Sequence, residues 1–293
     1  MNCSLIIITR NRFDVLISNL KHNLAEFQTI DEIIIVDSSD EDYSEKFKLD
    51  FKAENIHYHR TQIGKQIQRN YGIKHATGDI FLFLDDDIRL YKGSVNSLRT
   101  CFIKNPEIDG VTGALTEKNA PSKVKQLVEK VFSKVFFTPA FGKSGITRSG
   151  LPIIPLASQT YHDALFLRGG FSAYKSDIFN KHFFDEYFNG YAYLEDSDFS
   201  LSITKHGHYV FLPDFNGFHD HLSTLQRDHS KVRQQYVENF HYIFNKHQIG
   251  SKPLFYWTAL GLLIINLMKS LTNLNLSYVK GTWRGIIQVL TKQ

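Results

Sequence analysis

A chain of 293 residues with 42% hydrophobic and 22% charged residues has room for one large domain, or a domain with an appendage, around an ordinary globular core. Its two cysteines, Cys3 and Cys101, exclude a disulfide framework and a cysteine-based zinc site. The formal net charge is +4, but no Asp or Glu follows Glu238, so the last 55 residues form a basic tail that calls for an anionic partner, membrane or nucleic acid.

The N-terminus enters an apolar run at residues 4–8 with no basic region and no small-residue cleavage site. This predicts a buried strand rather than a signal peptide, and a cytosolic location. Further β-branched runs at 32–37, 56–59, 80–84 and 110–116 alternate with helix-compatible stretches at about 12–27, 43–52, 66–77 and 93–104. Apolar strands alternating with helices imply an α/β fold with a mostly parallel sheet covered on both faces. Ligands of such sheets bind beyond the carboxyl ends of the strands. Polar residues stand at three of those ends: Thr9-Arg10-Asn11-Arg12, Asp37-Ser38-Ser39-Asp40 and Asp85-Asp86-Asp87.

The segment 117–165 is less regular. Residues 118–148 carry seven Lys or Arg against one acid, Glu129, and Val124, Leu127, Val128, Val131, Phe132 and Val135 recur at helical spacing. This is a basic amphipathic helix, either packed on the domain or in contact with a membrane or acceptor. Short strands and turns follow over 166–215, then helices from about 196 to 206 and from 229 to 247. The stretch 253–268 has no charge. Sixteen residues with Asn266 inside are too short to span a bilayer. Aromatics at one end and Lys269 at the other suit a helix at the interface, with a core or dimer helix as the bland alternative.

Two acidic clusters carry the chemistry. Three adjacent carboxylates after Phe81-Leu82-Phe83-Leu84 repel one another and are costly without a cation. In an extended chain Asp85 and Asp87 point to one side, where a hard divalent ion takes oxygen ligands and can bridge a diphosphate. A solvated acidic turn or a helix cap is the simpler reading. In Glu195-Asp196-Ser197-Asp198 the acids suit a helix start, where a carboxylate stays ionised and can act as a general base. Plain capping is the alternative there. His219 and His221 follow an aromatic run and could complete a mixed N/O metal shell. Gly64-Lys65 is no P-loop, because Gln66 replaces the Ser/Thr and no glycine stands five positions earlier.

In chain order, the strand-end segments above are joined by Gln68-Arg69-Asn70-Tyr71-Gly72-Ile73, Thr77-Gly78-Asp79, Arg168-Gly169-Gly170-Phe171 and His219-Asp220-His221. Together they resemble a family-2 inverting glycosyltransferase of the GT-A fold, of the kind that builds bacterial cell-surface polysaccharides. The resemblance covers about residues 3–245. It implies a catalytic domain at 1–225, with a nucleotide-sugar-binding half (1–116) and an acceptor half (117–225), followed by a membrane-associating helical extension at 226–293. It also implies a metal site of Asp85, Asp87 and His219 for Mn²⁺ or Mg²⁺, with Asp86 beside the ribose or metal. Asp196 is the implied catalytic base, with Glu195 beside it. Thr9, Arg10 and Asn11 would lie against the nucleoside, Asp37 or Ser38 against the base, and Arg69 or Asn70 against the donor. Arg10 stands where many members have an aromatic residue, and Ser38 where many have a second acid.

The expected activity is transfer from a nucleotide diphosphate sugar to a glycan or lipid-linked glycan, with the enzyme peripheral on an anionic inner membrane face and no nucleic acid involved. Two other classes compete. A nucleotidyltransferase would want a Gly-rich basic loop after the first strand, and residues 9–13 contain no glycine. A non-catalytic basic module binding membrane or nucleic acid leaves the carboxylate clusters without a reason.

Overall fold

A computed structural model describes residues 1–51, 54–118, 121–190, 192–220 and 228–291. In the first half, strands β1 (Cys3–Thr9), β2 (Glu32–Asp37), β3 (Ile56–Arg60), β4 (Ile80–Asp85), β5 (Ile88–Leu90) and β6 (Ile108–Glu117) form from the β-branched and aromatic runs. Between them lie helices α1 (Phe13–His22), α2 (Leu24–Phe27), α3 (Ser44–Asp50), α4 (Lys65–His75) and α5 (Ser94–Lys104). The single helix expected over 12–27 is broken at Asn23. Its buried amide accepts from Leu90 N and donates to Ile88 O, tying the helix end to β5.

In the second half come α6 (Lys123–Phe136), a small sheet of β7 (Ala140–Gly142), β8 (Gly145–Ile146) and β9 (Pro152–Pro155), then β10 (His162–Asp163) and β11 (Phe171–Lys175). Helix α7 (Glu195–Ile203), strand β12 (His208–His219) and helices α8 (His229–Lys246), α9 (Lys252–Thr272) and α10 (Ser277–Thr291) complete the chain. The main sheet has the order β10-β12-β6-β11-β4-β1-β2-β3, and β5 pairs with β12.

The four strands β4-β1-β2-β3 are parallel, as are β6 and β12. The run of parallel strands does not continue from β4 to β6, because β11 enters antiparallel between them. Alternation along the strands fills two cores. Leu5, Ile7, Leu82 and Leu84 face α1 and α5, whereas Ile6, Phe81 and Phe83 face α4 and α7.

A third core contains Phe188 and Leu194, Phe240 and Phe244 of α8, Phe255 and Leu262 of α9, and Ile286 of α10. The C-terminal helices therefore close over the turn that leads into α7. One face of α9 is core, so the reading of that helix as buried holds for half of its circumference.

Candidate active site

Strand register assembles the site. In β1, Ile8 pairs with Asp85, so Thr9 lies beside Asp86, and the Thr9 hydroxyl donates to Asp86 Oδ2 at 2.7 Å. The chain turns at Asp86-Asp87 and re-enters the sheet as β5, whose Ile88 pairs with His219 of β12. That pairing delivers His219 Nε2 to within 3.1 Å of Asp87 Oδ1. On the other side, Asp85 N donates to Gly170 O at 3.0 Å as β4 meets the start of β11.

The turn breaks the alternation expected of an extended run, so the three acids face different partners. Asp86 and Asp87 share Arg12, at 2.8 and 2.7 Å. Burial pushes the Asp86 carboxyl up to about 7, despite the Arg12 charge and the Thr9 hydrogen bond. Burial also acts to raise Asp87, but hydrogen bonds from His219 and Arg12 outweigh it and hold that carboxyl well below the usual range. The same contact raises His219 against its own burial. Asp85, half-buried at the strand end, lies over Gly170, where a Cβ would stand 2.1 Å from its Cγ.

No three His, Cys, Asp or Glu side chains converge as a ready metal cluster among the described residues. The donor chemistry of Asp87 and His219 nevertheless suits a divalent ion. Two ligands at about 2.1 Å on adjacent octahedral corners lie about 3.0 Å apart, close to the oxygen–nitrogen separation seen here. His221 lies outside the described residues.

Arg69 of α4 joins the two acidic clusters. Its buried guanidinium stands 4.0 Å from Asp85 Oδ1 and 3.5 Å from Glu195 Oε1, over the ring of Phe184. It also fills the space above Gly169, where a Cβ would lie 3.0 Å from both terminal nitrogens. The glycine pair 169–170 thus makes room for one cation and one carboxylate. At the start of α7, Asp198 is gripped by Lys246 and His247, each at 2.8 Å. Among the described residues Asp196 has no ion pair within 4 Å; Ser197 N donates to its Oδ1 at 2.9 Å. Burial and the neighbouring Glu195 charge raise its pKa, and Arg69 and Arg168 only partly offset this. The preceding turn places Ala192 and Leu194 at φ 48° and 73°. Such strain in non-glycine residues costs on the order of 1–3 kcal/mol each and is held here by packing on α8.

The residues expected near the nucleoside separate into two groups. Arg10, Asn11 and Asp40 form a rim, with Arg10 Nη2 3.2 Å and Asn11 Nδ2 2.8 Å from Asp40. Asp37 is buried, and its carboxylate is engaged by Ser39 N, Ser39 Oγ and Tyr58 OH. Ser38 is buried beside it, with its hydroxyl unpaired. Asn70 uses both ends of its amide on the loop at 184–186, donating to Phe184 O and Glu186 and accepting from Phe184 N. Gln68, read only as part of a motif, donates to both Thr9 O and Val36 O and so pins the ends of β1 and β2 together. Arg12 was likewise only a motif letter. The three repelling acids, read in the sequence as asking for a metal ion, were a signal that could have pointed to Arg12 as well.

The sequence model of glycosyl transferase family 2 matches residues 4–183. The chain belongs to that family. It is a glycosyltransferase of the GT-A fold. None of the curated proteins matches. Similar solved structures include S. aureus TarS (residues 1–349), at 15% identity and TM-score 0.55, over 94% of this chain and 74% of that one. GalNAc-T7 with UDP, GalNAc and Mn²⁺ matches at 15% identity and TM-score 0.61, over 93% of this chain and 57% of its own. The mannosyltransferase PcManGT from Pyrobaculum calidifontis, in complex with GDP-Man and Mn²⁺, matches at 15% identity and TM-score 0.55, over 100% and 76%. At this identity the likeness is one of fold.

Proposed function

We propose that this glycosyltransferase moves a sugar from a nucleotide diphosphate sugar to an acceptor hydroxyl in a single inverting displacement. Asp196 is the base, a divalent cation assists, and the acceptor is a lipid-linked glycan met at the inner face of the cell membrane. The observation that carries this reading is the contrast within α7. Glu195 is engaged by Arg69 and Asp198 by Lys246, whereas Asp196 is sheltered, without a cation, and raised in proton affinity.

A hydroxyl attacks well only if its proton leaves as the new bond forms. In the proposed step the acceptor oxygen bonds to the anomeric carbon and its proton passes to the Asp196 carboxylate. The bond from the anomeric carbon to the diphosphate breaks on the opposite face, carrying the electron pair away. Arg69 lies between the reacting end and Asp85 and balances charge there. Mn²⁺ or Mg²⁺, held by Asp87 and His219, would supply positive charge for the departing diphosphate, with Asp85 turned to Arg69 and Gly170 instead of completing the expected set of three. Mn²⁺ is present in two of the similar structures.

The deciding experiment follows the product. NMR coupling constants should show an anomeric configuration opposite to the donor's, and Asp196→Asn should lower turnover by about 10² or more with donor affinity nearly unchanged. A retained configuration, or near-normal turnover in the Asn variant, would remove Asp196 from this role. Excess chelator should abolish transfer and added Mn²⁺ restore it, and full activity in chelator would remove the cation.

A further inference from the structure

We infer that α6 and the outer face of α9 form one surface that docks flat on an anionic lipid bilayer without crossing it. This rests on the reading that the acceptor is lipid-linked, and it names the part of the enzyme that meets the lipid.

Helix α6 buries none of its residues. Val124, Leu127, Val128, Val131 and Val135 form an outward apolar stripe, with Val124 72% exposed. Four lysines, Lys123, Lys125, Lys130 and Lys134, accompany it against the one acid Glu129. A stripe of this kind left in water has no energetic reason unless something covers it.

Helix α6 is fixed to α9. The Phe136 ring stacks on Trp257 at 4.9 Å, and Trp257 Nε1 donates to Val135 O at 2.7 Å. Gly261 lets the two backbones approach, since a Cβ there would lie 2.3 Å from Phe136 Cβ. Lys269 and Glu129, one farther along α9 and the other earlier in α6, feel each other's charge, so the helices run antiparallel. The outer face of α9 then adds Trp257, Leu260, Leu267, Met268 and Leu271, all at least 42% exposed.

At 21 residues α9 is roughly 31 Å long, enough to span a bilayer, and its composition passes the same test. Its inner face is already used. Phe255, Ala259 and Leu262 are core, Asn266 Nδ2 donates to Thr282 Oγ1 at 3.0 Å, and Ser270 Oγ accepts from Val279 N. Crossing a membrane would strip that face from the domain, so the helix lies in the interface. The chain's only two tryptophans, Trp257 and Trp283, are half exposed on α9 and α10, in keeping with residues that settle at headgroup level.

The basic flank chooses the occupant. A second copy would bring the same lysines against these, and repulsion opposes that pairing. Anionic headgroups meet the lysines while the acyl boundary takes the stripe. The place is also apt. Glu117, which pairs with Arg168 near Asp196, precedes Ser122 at the start of α6 by five residues, bounding their separation to roughly 18 Å.

The full chain should sediment with phosphatidylcholine vesicles that contain phosphatidylglycerol, and lose binding in high salt. Because Trp257 lies on this surface, its emission should shift to the blue and be quenched by brominated lipid. Val128→Asp with Val131→Asp, on the exposed stripe, should weaken vesicle binding at least about tenfold while transfer to a soluble acceptor analogue persists. Replacing the four α6 lysines by Gln should abolish the preference for phosphatidylglycerol and serves if the aspartates disturb folding. Failure of the wild-type chain to bind these vesicles, or unaltered binding in both variants, would overturn the inference. So would dimerisation by light scattering that is itself lost in the valine variant. Activity on the soluble acceptor reads the catalytic proposal separately, so failure of one is not failure of the other.

Discussion

Each acidic cluster gathers three carboxylates within four residues, yet the two treat charge in opposite ways. At the β4–β5 turn the two inner acids, Asp86 and Asp87, hold Arg12, and Asp87 also holds His219. At the start of α7 the outer two, Glu195 and Asp198, hold cations and the middle one, Asp196, holds none. Asp87, kept ionised by its partners while burial raises Asp86 beside it, is suited to bind positive charge. A carboxylate left short of partners is suited to accept a proton. The same side chain serves both ends because burial and neighbours set its proton affinity.

The largest expected effect comes from the bound cluster. Asp87→Asn should lower turnover by about 10²–10³ and remove Mn²⁺-dependent nucleotide binding, measured by calorimetry. If nucleotide binding remains Mn²⁺-dependent, the two clusters do not differ in the way proposed. Next, Arg12→Met leaves Asp86 and Asp87 without their shared cation. It should cost about 3 kcal/mol of stability in chelator, read by urea unfolding, with a larger share recovered by Mn²⁺ than in the parent chain. An unchanged midpoint would mean that Arg12 does not neutralise the turn.

A subtler effect sharpens the other side. Asp196 must be ionised to act, so turnover should fall as pH is lowered through its raised pKa, above the ordinary carboxylate range. Glu195→Gln removes the adjacent negative charge that helps to raise it, so the acidic limb should move to lower pH. A limb that stays in place, or moves up, would assign it to another group. The smallest effect belongs to the exposed rim. Arg10→Ala should change stability by less than about 0.5 kcal/mol, because its pair with Asp40 is open to water. A larger loss by urea unfolding would show that the rim supports both clusters.

The first half of the fold was legible because its strands are apolar on both faces and their ends are polar. Asp85-Asp86-Asp87 and Glu195-Asp196 stood out as residue types. Of their partners, His219 and Arg69 were named through the family resemblance and Arg12 was given no role, because register, not spacing, makes them neighbours. His219 reaches Asp87 only through the pairing of β5 with β12, and β5 is three residues long. Arg69 reaches both clusters from the buried side of α4, and the glycine pair that admits it looks in sequence like any turn. The stretch 253–268 read only as charge-free, whereas one side of α9 is sealed by Asn266 and Ser270 against α10 and the other is open. Composition cannot divide a helix that has apolar residues around most of its circumference.

Strand β11 sets a timetable for synthesis. It lies between β4 and β6, yet it is made more than fifty residues after β6 is made. Until Phe171–Lys175 arrives, both β4 and β6 offer bare edges that can recruit another strand. The first half of the chain therefore cannot finish as an independent foldon. A released fragment ending at residue 117 should be protease-sensitive and prone to aggregate, and one ending beyond residue 175 should not show those open edges.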